Sequence, residues 1–322
     1  MLKSLLAASL SLFLAIGLVG PAAAEENYPS RDVYFLCSFP AGSGADVLVR
    51  FFANKISQEI GRTVVVENKP GAGGMLALTY LAQAKPDGYT ILLDGGNAVA
   101  INANLLKNPP IDAGRDIRVA ATLNRMPFLL AVSGTSPYKN LTELTEAMKK
   151  AGPEATYAYS SPFAKVIGES YKVAANLKTV DVAYKSIVDS LNDIASGSID
   201  FAIFDPVQGL ARQKDGKLKI LAISTASRTH ATGDLPTFRE QGLDVDLSGW
   251  WAALVPAGTP GPIVEKINAW FKNISDDGDV RTFLANAGAD SFHLSASEAN
   301  AFYLEEIVSW GRLVEMAKIE KN

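Results

Sequence analysis

Cysteine and histidine are scarce in this chain of 322 residues, and their scarcity limits the chemistry that the chain can carry. Cys37 is the only cysteine, so no internal disulfide can form, and its apolar context VYFLCSF is typical of a buried strand. The two histidines, His230 and His293, stand far apart in predicted peripheral loops. No H-E-x-x-H, paired-cysteine or G-x-S-x-G motif is present. We therefore expect no metal site, no cofactor and no catalytic residue.

The chain also lacks any block of basic residues. Its 30 Lys and Arg are outnumbered by 34 Asp and Glu, and the formal net charge is −4. Because nucleic-acid binding needs a concentrated basic surface, this distribution excludes a nucleic-acid partner.

The N-terminal segment predicts export. Lys3 precedes an apolar run from Leu5 to Val19, which is short for a membrane span, and small residues Ala22 to Ala24 follow. This pattern predicts a signal peptide over residues 1–24 and a periplasmic location. An N-terminal membrane anchor is the alternative.

Strand-like and helix-like segments alternate along the rest of the chain. DVYFLCSF, TVVVEN and YTILLD read as strands separated by helices, and the pattern restarts at MPFLLAVS and runs to KLKILAIST. Such β-α-β series indicate α/β lobes in which helices flank mixed, mostly parallel sheets. We predict one lobe from residues 25–127 with 250–322, including C-terminal helices, and a second lobe from 128–249. A ligand cleft would lie between them.

The stretch FPAGSGADVLVR joins the first predicted strand to a helix. The first N–H groups of a helix lack internal partners and carry partial positive charge, while glycine lets a ligand approach the backbone. The turn therefore suits an anion such as a carboxylate, although a plain strand–helix turn is the alternative. A dinucleotide site is disfavoured because Val47 stands where a third glycine is needed.

Small polar turns follow several other predicted strands. In open α/β sheets, ligands bind outside the carboxyl ends of the strands, so these turns predict one shared cleft. Asp46 and Asp205 could alternatively form a carboxylate pair for acid–base chemistry.

The motifs FPAGSGADVLVR, GRTVVVENKPGAGG and AKPDGYTILL resemble those of the extracytoplasmic solute-binding proteins of tripartite tricarboxylate transporters, the Bug family. VAYKS, GSIDFAIFD, GKLKILAIST, LPTFREQGL, WWAALVPAGTP and VRTFLANAGAD continue the resemblance in the family's order. The resemblance implies a two-lobed, type II-like periplasmic binding protein that closes on a small organic acid and delivers it to the membrane subunits of a transporter. We expect a monomer with no catalytic step.

The resemblance also implies which residues contact the ligand. The first turn would hold one carboxylate, the turn after YTILL would support it, and the second lobe would face the distal half. These positions are Ser38, Phe39, Ala41, Gly42, Ser43, Gly44 and Asp46; Gly96, Asn97 and Ala98; and Ser160, Ser161, Phe163, Tyr184, Lys185, Ser186 and Asp205.

Two turns depart from the family's pattern. Ser43 replaces the second glycine of the first turn, and SSPFAKVIGE replaces a longer, glycine-rich loop that ends in histidine. Phe163 in that loop favours a flat or apolar ligand body, such as an aromatic dicarboxylate. Two other functions remain open: an exported hydrolase or acid–base enzyme using Asp46 and Asp205, and a ligand-sensing subunit of a membrane receptor.

Overall fold

The computed structural model describes residues 28–321, so the predicted signal peptide lies outside the described residues. The N-terminal β-α series forms as predicted from its apolar periodicity. Its elements are β1 (Val33–Cys37), α1 (Gly44–Ile60), β2 (Val64–Asn68), α2 (Met75–Ala82), β3 (Thr90–Gly95), α3 (Gly96–Leu105), α4 (Ala113–Asp116) and β4 (Ile117–Pro127). Helix α1 buries Leu48, Phe52 and Ile56 on one face, and Gly61 ends it with a left-handed φ of 63°.

The chain then enters a second α/β series directly after Pro127. This series comprises β5 (Leu129–Ser133), α5 (Leu141–Ala151), β6 (Thr156–Tyr159), α6 (Pro162–Ala175), β7 (Val180–Ala183), α7 (Leu191–Ser196), β8 (Phe201–Phe204), α8 (Pro206–Lys214) and β9 (Leu218–Ile223). The chain ends with β10 (Ser248–Pro256), α9 (Gly261–Ser275), α10 (Gly278–Asn286), β11 (Asp290–Ser291) and α11 (Ala296–Met316).

The strands form two separate sheets. The first has six strands in the order β11-β4-β10-β3-β1-β2, and the second has five in the order β7-β6-β8-β5-β9. The α/β class with two mixed sheets is thereby confirmed. The strands divide between the sheets at the same places where we predict the lobes to divide; the lobe limits themselves, 25–127 with 250–322 and 128–249, stay a prediction.

Both sheets are mixed. Strand β1 pairs parallel with β2 and β3, and β6 pairs parallel with β7 and β8. Strand β10 instead inserts antiparallel between β3 and β4, and β5 runs antiparallel to β8 and β9. Four of the six strands in the first sheet and four of the five in the second therefore point the same way, so the predicted mixed, mostly parallel sheets are confirmed. The strand that follows each crossing between the sheets, β5 or β10, runs in the opposite direction.

The C-terminal helix α11 connects the two sheets' layers. Near its start, the buried Tyr303 hydroxyl donates to the Ala113 carbonyl, 3.0 Å away, beside the first sheet. Near its end, the ring of Trp310 packs at a centroid distance of 5.1 Å from Phe163 of α6. The helix that sequence analysis assigns to the first lobe thus contributes to the core around the second sheet. Within residues 28–321, no helix is both long and apolar enough to cross a bilayer.

Candidate functional site

The carboxyl ends of β1 and β3 lie side by side in the first sheet. These strands are parallel neighbours, with Cys37 opposite Leu93, so the turns that follow them leave from the same sheet edge. Helices α1 and α3 begin at these turns. Two helix N-termini therefore lie at the sheet edge where the sequence predicts a ligand.

The buried carboxylate of Asp46 accepts hydrogen bonds that hold the first turn in place. It is only 3% exposed. Its Oδ2 accepts from the Gly42 N–H at 2.8 Å and from Arg50 Nε at 3.0 Å, and its Oδ1 accepts from Asn68 Nδ2 at 2.8 Å. Hydrogen bonds from Asn68, Gly42 and Arg50 lower the pKa of Asp46 to about 2. An ionised carboxylate held by three donors stabilises the turn and is a weak base, so this geometry does not favour acid–base catalysis.

The other residues of the first turn are nearer the surface. Ser43 caps α1, because its Oγ accepts from the Asp46 N–H at 3.2 Å, and Gly42 has a φ of 81° that favours glycine. Ala41, Gly42 and Gly44 are exposed. The Phe39 ring is 36% exposed and lies 5.9 Å from the Trp251 ring centroid. The turn therefore combines accessible backbone with one aromatic wall.

Asp94 is a residue that sequence reasoning missed. It stands at the end of β3, is 3% exposed, and accepts from the Gly95 N–H at 2.7 Å. Burial raises the pKa of Asp94 to about 6, while hydrogen bonds from the Ser38 side chain and the Gly95 N–H oppose that rise. Ser38, itself 6% exposed, thus faces a buried carboxyl group. The sequence signal that could have identified Asp94 is its position at the end of an apolar strand, directly before two glycines.

The second turn is held against Trp250 of β10. A Cβ at Gly96 would overlap the Trp250 ring, so only glycine fits there. The backbone N–H of Trp250 donates to Asn97 Oδ1 at 3.3 Å. No side chain caps α3 at Gly95, and Asn97 and Ala98 are half-buried. The first N–H groups of α3 therefore form a second neutral donor set.

The predicted second-lobe residues follow the parallel strands β6, β7 and β8, whose carboxyl ends share one edge. Ser160 is half-buried, and Ser161 caps α6 by accepting from the Ala164 N–H at 3.2 Å. Asp205 caps α8 by accepting from the Gln208 N–H at 3.0 Å, and burial raises its pKa. Lys185 and Ser186 are exposed.

Two second-lobe side chains have partners within the protein. The Tyr184 hydroxyl donates to Asp193 Oδ2 at 2.6 Å, which raises the pKa of Tyr184 to about 12. Phe163 is only 4% exposed, with the Phe128 ring centroid 4.6 Å away. The structure thus gives Phe163 core contacts and leaves its predicted contact with a ligand body without geometric support.

Two surface cavities lie elsewhere. One of about 340 Å³ is lined by Arg31, Tyr80 and Thr90 at the opposite end of β3, and one of about 500 Å³ is lined by the 109–116 segment and Ile307. Neither includes a residue of the strand-end turns. In the part of the chain that the structure describes, no cluster of three or more potential metal ligands is found.

Known proteins resemble this chain over most of its length. The family described as "Tripartite tricarboxylate transporter family receptor" matches residues 48–319. A UPF0065 protein of Bordetella bronchiseptica is 30% identical over 319 residues, which cover 99% of this chain and 94% of that protein.

Solved structures match as well. MatC from Rhodopseudomonas palustris, solved with bound malate, is 26% identical and has a TM-score of 0.72. The alignment covers 89% of this chain and 100% of the MatC chain. An R. palustris protein solved with adipate is 25% identical and has a TM-score of 0.77. The alignment covers 91% of this chain and 99% of that protein. The resemblance seen in the sequence motifs is confirmed: the chain belongs to the tripartite tricarboxylate transporter receptor family.

Proposed function

We propose that this chain is a periplasmic solute-binding protein that captures a small organic acid between its two lobes. The observation that carries the proposal is the pair of helix N-termini at the adjacent ends of β1 and β3, in a member of a receptor family whose solved relatives include complexes with malate and adipate. Uncharged donors suit a carboxylate because they bind it without the desolvation of a buried cation.

The two lobes would each contribute one side of the site. The first-turn and second-turn residues would hold one carboxylate, while Ser160, Ser161, Lys185, Ser186 and Asp205 would face the distal half. Lobe closure would follow only from the ligand's higher affinity for the closed form. Lys185 is exposed and is the natural partner for a second carboxylate of a dicarboxylate ligand.

A thermal-shift panel of aliphatic dicarboxylates, tricarboxylates, acidic amino acids and aromatic acids tests the proposal. At a concentration one hundred times its Kd, a ligand adds about 2.7 kcal/mol of stability, which melting detects readily. Ser38→Ala should reduce the shift, whereas Ser57→Ala, at the far end of α1, should not. A protein that melts identically with every acid at millimolar concentration would contradict acid capture.

The proposal includes no catalytic step. The alternative of an exported acid–base enzyme requires Asp46 and Asp205 to exchange protons with a substrate, yet Asp46 is held ionised by three donors and Asp205 caps α8. After incubation of the bound acid with purified protein, the NMR spectrum of the acid should be unchanged. A transformed acid would favour the enzyme.

The partner would be the membrane subunits of a tripartite tricarboxylate-type transporter, with the chain acting as a monomer. A ligand-sensing role for a membrane receptor would use the same pocket. Uptake of the labelled acid by cells that lack this chain separates the two: loss of uptake favours transport, and unchanged uptake with a lost response favours sensing.

A further inference from the structure

Asp94 is a buried acidic side chain at the end of β3, directly before the second proposed donor set. It precedes Gly95 and α3 on one side, and Ser38 flanks it at the end of β1. The backbone at Gly74 covers it: a Cβ there would lie 3.5 Å from Asp94 Oδ2 and 3.6 Å from Ser38 Oγ. The carboxyl group is therefore enclosed by protein next to the turns that would hold a ligand carboxylate.

The partners of Asp94 are neutral. The Gly95 N–H donates to Oδ1 at 2.7 Å, and the Ser38 side chain hydrogen-bonds the carboxyl group. No basic side chain among residues 28–321 contributes to the pKa of Asp94, which burial raises. The negative charge of Asp94 is thus supported by dipoles alone.

The elements packed around Asp94 bring few titratable groups. Strand β1 brings Tyr34 and the buried Cys37 thiol, and the start of α1 brings Asp46, which is engaged by its own three donors, one of them Arg50. Helix α3 and strand β10 contain no titratable side chain. Tyr80 is the only titratable side chain of helix α2. It is 46% exposed, and Lys69 Nζ lies 4.0 Å from the centroid of its ring.

Two cations border this edge of the sheet, and both are engaged elsewhere: Arg50 Nε lies 3.0 Å from Asp46 Oδ2, and Lys69 follows β2. Its Nζ lies 3.3 Å from Glu67 Oε2 as well as over the Tyr80 ring. Arg50 and Lys69 are thus both held by partners other than Asp94.

A ligand carboxylate at these helix N-termini would lie beside the Asp94 carboxylate. Two unit charges about 5 Å apart, at an effective dielectric constant of about 20, would weaken binding by roughly two to three hundredfold. Protonation removes the repulsion and converts one oxygen into a hydroxyl donor.

We infer that Asp94 couples capture of the organic anion to the uptake of one proton: the ligand binds with Asp94 as a neutral carboxylic acid. The proton comes from solvent, joins an oxygen of Asp94, and returns to solvent when the ligand leaves. This inference rests on the proposed function, and it makes acidity a determinant of affinity.

Calorimetric titrations with malate and adipate test the coupling. Above about pH 6.5 both carboxyl groups of either probe are ionised, so further pH dependence belongs to the protein. For the wild-type protein, Kd should rise up to tenfold for each unit of pH between 6.5 and 8.5. Titrations in buffers of different ionisation enthalpy should show uptake of about one proton for each ligand bound.

Two variants separate this proton from others. Asp94→Asn carries a neutral amide, so its Kd should not vary with pH and should be lower than that of the wild type at pH 8.5. Asp87→Asn makes the same charge change at the opposite end of β3, where Asp87 pairs with Arg31 at 3.1 Å, and should keep the wild-type pH dependence.

Several results would overturn the inference. Wild-type Kd values that do not change with pH, or binding without proton uptake, would remove the coupling and leave acid capture intact. A folded Asp94→Asn protein that no longer binds would mean that Asp94 acts as a carboxylate, for instance toward an ammonium group. If the wild type bound neither malate nor adipate and no acid in the panel, the proposed function itself would fail.

Discussion

Gly96 lies directly against the Trp250 ring, so closely that a methyl group at residue 96 would overlap the indole carbons. Gly96→Ala should therefore displace the start of α3 or the fully buried Trp250, and we expect it to lower the free energy of unfolding by about 1–3 kcal/mol. Acid binding should weaken as well, because the N–H groups of α3 move. Urea denaturation and calorimetry measure the two effects.

The neighbouring glycine provides a matched control. A Cβ at Gly95 would have ordinary contacts at 3.6 Å with Ala98 and Asn97, and its φ of −66° suits any residue. Gly95→Ala should leave stability within about 0.5 kcal/mol of the wild type. Equal losses in both variants would mean that the Trp250 contact does not set this turn.

Glu306 is hydrogen-bonded to two buried tryptophans, Trp250 and Trp310. Its Oε2 accepts from Trp250 Nε1 at 3.1 Å and from Trp310 Nε1 at 2.9 Å. Glu306→Ala leaves both buried indole N–H groups without this acceptor and should cost about 2–4 kcal/mol. Glu306→Gln keeps an oxygen acceptor and should cost much less. Chemical denaturation compares them, and similar losses would contradict a hydrogen-bonding role.

Local patterns in the sequence were sufficient to predict the individual elements. Leu48, Phe52, Ile56 and Ile60 recur at helical spacing and Gly61 can adopt a positive φ, so α1 could be predicted with its end. The donor turns could also be found, because serine and glycine before a helix have local causes.

Long-range pairing could not be predicted in the same way. The insertion of β10 between β3 and β4 depends on which distant strands pair, and no local pattern specifies that choice. Burial of Asp94 likewise depends on Gly74, which approaches from another loop. The position of Phe163 in the second-lobe loop predicts a ligand contact, whereas its packing against Trp310 could not be predicted, because Trp310 belongs to a helix far away in sequence.

Asp46 should stabilise the fold at neutral pH and lose that effect in acid. Its folded-state pKa of about 2 lies below the ordinary 3.8, so its contribution is present above about pH 4 and is lost as pH falls toward 2. Asp46→Ala should lower the free energy of unfolding by about 1–3 kcal/mol at pH 7 and by less at pH 3. Asp215→Asn, in an exposed pair with Arg212, should change it little at either pH.

Asp94 should have the opposite dependence. Its folded-state pKa of about 6 lies above 3.8, so the folded state holds the proton more tightly, and stability falls as pH rises from about 4 to 6. Without ligand, Asp94→Asn should be more stable than the wild type by about 2–3 kcal/mol at pH 7.5, and the gain should disappear near pH 4. Melting curves across this range measure the difference; a constant difference would contradict the titration.

Phe163 should act on stability and leave ligand choice unchanged. The ring is 4% exposed and packs between Phe128 and Trp310, with centroids 4.6 Å and 5.1 Å away. Phe163→Ala should open a cavity and cost about 3–5 kcal/mol, while Phe163→Leu should cost less because it fills more of that space. In Phe163→Leu, which is the better variant for binding measurements, the relative affinities for aromatic and aliphatic acids should match those of the wild type. A selective loss of aromatic acids in a variant of near-normal stability would instead favour direct contact between this ring and the ligand, and would require α6 to turn its first residues toward the cleft.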